Sequence, residues 1–111
     1  MSVQVYDPGE FRHRGVLLNV VETPDGCGGL NESENALAEL WFSLSFMRSE
    51  RSEAGGRTIT ENYYQLKMRH RDDVETGMRI AFAGRKFEIL NLRDVDAQKR
   101  YLLCDARELT Q

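Results

Sequence analysis

The run from Glu75 to Leu92 limits the fold more than any other stretch. Met78, Ile80 and Phe82 alternate with Arg79, Ala81 and Ala83. After Gly84-Arg85, Phe87 and Ile89 alternate with Lys86 and Glu88. Period two on both sides of a short glycine-containing turn reads as a β-hairpin. Gly84 can supply the positive φ that a chain reversal needs. A chain built on such a hairpin must complete a sheet around it.

The remaining segments supply the strands. Gly15–Glu22 is the first, with Val16, Leu18 and Val20 on one face and Leu17, Asn19 and Val21 on the other. Two partly apolar faces imply a strand covered on both sides, or one whose outer face meets another subunit. Thr23–Gly29 holds three glycines and Pro24, and reads as a loop. Asn35–Phe46 fits two periods. Leu37, Leu40, Trp41 and Leu44 have helical spacing, whereas Leu40, Phe42, Leu44 and Phe46 alternate. Aromatic content favours strand over Leu40–Phe46, with any helical turn confined to Glu34–Glu39. Met47–Thr60 is polar and reads as a long flexible loop, with room for one short helix at Ser49–Ala54 ended by Gly55. Asn62–Arg71 alternates again, with Tyr64, Leu66, Met68 and His70 on one face. Asp94–Gln98 is a last short loop, and Arg100–Asp105 the closing strand. Met1–His13 reads as a polar arm. About six short strands favour an all-β fold, a small antiparallel β-barrel, in a single domain over 1–111.

Composition narrows the function. The net charge is −3, with 15 basic and 18 acidic residues, which argues against a sequence-reading DNA-binding domain. It leaves room for a passage that DNA slides through, where each phosphate contact would be a brake. Cys27 and Cys104 form no CxxC pair, nothing reads as a signal peptide, and both are expected to be free thiols in a reducing cytosol. No apolar run approaches the length of a transmembrane helix. His13, His70, Cys27 and Cys104 match a zinc ligand count but not the close spacing of a zinc site. No nucleophile, carboxylate pair or phosphate loop can be placed, so no catalytic residue, metal or cofactor is expected. The competing class is a monomeric barrel that binds single-stranded nucleic acid through Tyr63, Lys67 and Arg69.

Phe11-Arg12-His13-Arg14, Trp41, the polar stretch after Phe46, Gly77–Leu90 and the final Leu-Leu-Cys strand come in a particular order. In that order the chain resembles the head-closure, or stopper, proteins of tailed phages and prophages. Each motif is short; their order and spacing carry the resemblance. The extra-looking Gly26–Gly29 segment and a more helix-like 34–40 region depart from the pattern. The resemblance implies a small β-barrel in a homo-oligomeric ring of six or twelve copies. The ring would sit in the virion between the portal or adaptor and the tail terminator or tube, assembled in a bacterial cytoplasm. It would close the head, retain DNA and dock the tail, in a phage or a gene transfer agent. Packaged double-stranded DNA would pass through the lumen without sequence-specific binding, and no membrane is involved. The resemblance assigns the channel loop to Met47–Thr60. There Arg48, Glu50, Arg51, Glu53 and Arg57 would face the axis, and Gly55-Gly56 would let the loop switch. Arg12, His13, Arg14, Gly84 and Arg85 are the expected contacts with neighbouring rings or subunits.

Overall fold

Alternating apolar residues close on themselves in the computed structural model, which describes residues 11–95, 98 and 100–109. Six strands form: β1 (His13–Pro24), β2 (Leu30–Ala54), β3 (Arg57–Arg69), β4 (Arg79–Phe82), β5 (Arg85–Asp94) and β6 (Tyr101–Leu109). They make a closed antiparallel barrel in the order β1-β2-β3-β6-β5-β4, with β4 pairing back onto β1. No helix occurs among the described residues.

The barrel interior is the period-two set. Phe42, Leu66, Met68, Ile80, Phe87 and Cys104 are fully buried, with Leu17, Ile89 and Ala106 beside them. In β1 it is Gly15 and Leu17 that face inward, while Val16 and Leu18 stay half-exposed. Gly15 is needed there for space. A Cβ at that position would lie 2.9 Å from Phe42 Cε1 and 2.9 Å from the Ala81 carbonyl oxygen.

The organising strand is β2. At about 3.3 Å per residue its 25 residues would span about 80 Å, yet the longest dimension of the molecule is 53 Å. The strand therefore bends. Its first half pairs with β1 and its second half with β3, and only Phe42 belongs to both ladders, opposite His13 and Met68. Bulges help the bend. Leu37 is skipped in the β1–β2 register and Met47 in the β2–β3 register, as is Leu90 between β5 and β6. Each of these three unpaired residues is an exposed aliphatic side chain.

Several expectations are corrected. Met47–Thr60 is not a loop and contains no helix. It is strand up to Ala54 and again from Arg57, reversed by Gly55 and Gly56 at φ 61° and 77°. Two positive φ values make the two-residue hairpin turn whose twist matches its strands. Residues 34–40 are strand throughout. The β4–β5 reversal is Ala83-Gly84, not Gly84-Arg85, because Arg85 already pairs with Phe82. Of the expected arm, residues 1–10 lie outside the described residues. Phe11 is buried against Tyr101, with ring centroids 5.8 Å apart, and His13 opens β1. In the expected loop Asp94–Gln98, Asp94 closes β5, and Asp96 and Ala97 lie outside the described residues.

Candidate functional site

Beyond Tyr63 the barrel lets β3 go. The β3–β6 ladder begins at Tyr63, so Arg57–Asn62 pair only with Ser49–Ala54 of β2. The result is a two-stranded ribbon projecting from the barrel; it holds Glu50, Arg51, Glu53, Gly55, Gly56 and Arg57 of the residues expected to line a channel, with Arg48 at its base opposite Tyr63. Its two faces follow from the register. Arg48, Glu50, Ser52 and Ala54 share one face with Arg57, Ile59, Glu61 and Tyr63, while Ser49, Arg51 and Glu53 share the other with Thr58, Thr60 and Asn62.

The first face is a charge network anchored to the barrel. Arg48 Nε donates to Glu50 Oε1 at 2.8 Å, and its guanidinium lies 4.4 Å from the centre of the Tyr63 ring. The Tyr63 hydroxyl donates to Glu61 at 2.9 Å, which raises the phenol above its usual pKa. Arg107 reaches Glu61 at 3.4 Å and Glu88 at 2.7 Å. These cations offset the like-charge rung Glu50–Glu61. On the second face Ser49 Oγ meets Asn62 Oδ1 at 2.6 Å. No ion pair among the described residues engages Arg51, Glu53 or Arg57, and all three are exposed around the Gly55-Gly56 tip.

The expected contact residues lie elsewhere and apart from one another. Arg14 is exposed, paired with Glu39 and 5.9 Å from the Trp41 ring centre. His13 turns inward instead, with ring centroids 4.7 Å from Phe82 and 5.7 Å from Phe42. Arg12 is exposed at the start of β1, and Gly84 is exposed at the β4–β5 tip. Arg85 is committed to the barrel. It binds both oxygens of Glu108 at 2.9 and 3.0 Å and packs against the Tyr64 and Phe87 rings.

The nucleic-acid alternative loses its stacking platform. Arg48 covers the Tyr63 ring, and Tyr64 packs edge-on against Phe46 and Phe87. Both cysteines are free; burial pushes the Cys104 thiol up to about 12, and Cys27 is exposed. No cluster of three or more His, Cys, Asp or Glu among the described residues can hold a metal ion.

Ion pairs across the outer strands make the barrel acid-sensitive. Lys86 at 2.5 Å and Arg79 at 2.8 Å hold Glu34 below the ordinary glutamate value of 4.5. Arg85 does the same for Glu108, and Arg71 holds Asp73 below 3.8. A carboxylate with a lowered native pKa stabilises the fold fully above its unfolded value, and that stability is lost as pH falls through the native one. The urea midpoint is expected to stay level from neutral pH to about 5 and to decline below it. Lys86→Ala should flatten part of that decline.

Sequence reasoning missed the three bulges and a groove beside Trp41. Bulges leave little trace in a sequence, because an extra outward residue only blurs the alternation.

Residues 6–109 match the model of a family described as phage head completion protein. Among solved structures, a chain from the virion of a native gene transfer agent particle is similar, with TM-score 0.73 and 23% identity. The match covers 90% of this chain and 96% of that one. Protein SF1141 from Shigella flexneri 2a is also similar, with TM-score 0.65 and 22% identity, covering 96% of this chain and 99% of that one. At these identities the two structures speak to the fold. No curated protein matches the sequence.

Proposed function

Because the chain belongs to the phage head completion protein family, we propose that it closes the filled head as a ring between the portal or adaptor and the tail. Family membership makes it a structural protein of the virion, working at the head–tail region, and not an enzyme. The ring, its retention of DNA and its docking of the tail are the finer reading. Likeness in fold to a chain of a gene transfer agent virion supports a place in such a particle.

One observation carries the channel role. The β2–β3 ribbon is polar apart from Ala54 and the exposed Ile59, and it holds none of the buried core residues. Fourteen residues of ordered strand and turn from Ser49 to Asn62 cost conformational entropy without filling the core. Such a projection is useful only to something outside the barrel. In a ring the ribbons would point at the axis, with Arg51, Glu53 and Arg57 at their tips. From Arg48 to Tyr63 three arginines stand against three glutamates, so the wall would offer DNA no net attraction, on a chain whose net charge is −3 in every copy.

Particles assembled without this chain test the role. They are expected to package DNA, fail to join tails and lose the DNA, with both defects corrected when the chain is supplied in trans. Tailed, DNA-filled particles formed in its absence would sink the proposal.

A further inference from the structure

The surface that neither the barrel nor the ribbon explains lies where β2 and β3 part. Phe42–Met68 is the last rung of their ladder. Beyond it β2 runs back through Trp41, Leu40 and Glu39, while β3 ends at Arg69 and the chain continues through His70. Between them opens a groove of about 660 Å³. Phe11, Leu40 and Met68 line it and are buried, while Trp41 lines it and is 55% exposed.

Two features define what fits. The first is backbone. From Leu30 to Trp41, β2 pairs with β1 alone, and its other edge has no strand partner among the described residues. Such an edge offers a row of N–H and C=O groups to an incoming extended chain. The second is charge. All but one of the charged side chains that line the groove are already paired. Arg71 grips Asp73 through two bonds of 3.0 and 2.9 Å, and Glu39 pairs with Arg14. The His70 ring is hydrogen-bonded to Asp72 and Asp94. Arg69 is the exception. It is exposed, and no carboxylate among the described residues meets it.

We propose that this groove receives an extended segment of a partner protein with alternating apolar and acidic side chains, which adds a strand to the open edge of β2. Apolar side chains would enter beside Trp41 and Leu40, and an acidic one would meet Arg69. The inference stands apart from the ring and from the channel, since it uses neither.

Trp41 is the sole tryptophan of the chain, so its emission reports on the groove directly. The probe is a peptide of alternating valine and glutamate, long enough to span the open edge. A saturable change in Trp41 emission is expected. Arg69→Glu should weaken it about tenfold, the size of one charge-assisted hydrogen bond, without moving the unfolding midpoint. A valine–lysine peptide should bind the Arg69→Glu chain better than the wild type. A valine–glutamate peptide methylated at the pairing backbone nitrogens should not bind. No saturable change would overturn the proposal, as would equal binding by the lysine or the methylated peptide. A shift of Trp41 emission on dilution alone, with no response to the valine–glutamate peptide once the copies have separated, would make the occupant a second copy and also overturn it.

Discussion

Phe42→Ala is expected to lower the unfolding free energy by about 3–5 kcal/mol. The ring is fully buried, packs edge-on against Phe82 at 5.4 Å and fills the space that Gly15 leaves open. Its position makes the loss more than a cavity. Phe42 is the residue at which β2 passes from the β1 ladder to the β3 ladder. Truncating it loosens the joint that lets one strand serve both sides of the barrel. Small domains hold about 5–15 kcal/mol in total, so the variant should populate unfolded chains at physiological temperature. Urea unfolding followed by Trp41 emission measures this. Phe42→Leu is the control and should cost less, because much of the apolar volume remains. Equal midpoints for the alanine variant and the wild type would mean that the joint is not at Phe42.

The core was legible because alternation is a geometric property of strands. Met78, Ile80, Phe82, Phe87 and Ile89 could be assigned to one hairpin, and Leu66 with Met68 to one face, before any contact was known. Which face of β1 turns inward was not legible. Gly15 has no side chain to mark its side, and the half-exposed Val16 and Leu18 look as apolar as Leu17. The two periods in Asn35–Phe46 have one cause. Leu37 and Trp41 are apolar yet exposed, four residues apart on the outward side, so together with the inward Leu40 and Leu44 they complete a spacing that mimics a helix. The ribbon was hidden for a different reason. With Ile59 its one large apolar side chain, it carries no alternation, and its strands are propagated by the ladder that begins in the barrel. The usable signal was Gly55-Gly56, two residues suited to a tight hairpin, where flexibility was expected instead. Within the candidate site, His13 and Arg85 look like surface residues in sequence. Their partners, Phe82 and Glu108, are remote in the chain, and only closure of the barrel brings them together.

Replacing Ser49–Asn62 by Asn-Gly is expected to leave the barrel folded and to abolish DNA retention. The graft joins Arg48 to Tyr63, which already face each other across a rung, and Asn-Gly favours the two-residue turn required there. No buried core residue lies in the removed segment. Glu61–Arg107 is lost, but that pair is about one-third exposed on each side, and Arg107 keeps Glu88. A pair so exposed contributes about 0–1 kcal/mol, so the urea midpoint should move little. Particles carrying the short chain should assemble heads that lose DNA before tails attach, measured as DNA protected from nuclease. Shortening removes reach and charge together, so Arg51→Glu with Arg57→Glu separates them. That variant keeps the ribbon's length and is expected to retain DNA, because an aperture narrowed by repelling ribbons needs no grip on phosphate. Loss of DNA with the charge variant would mean that the arginines hold the DNA end. Full retention with the short ribbon would mean that Met47–Thr60 is not the gate.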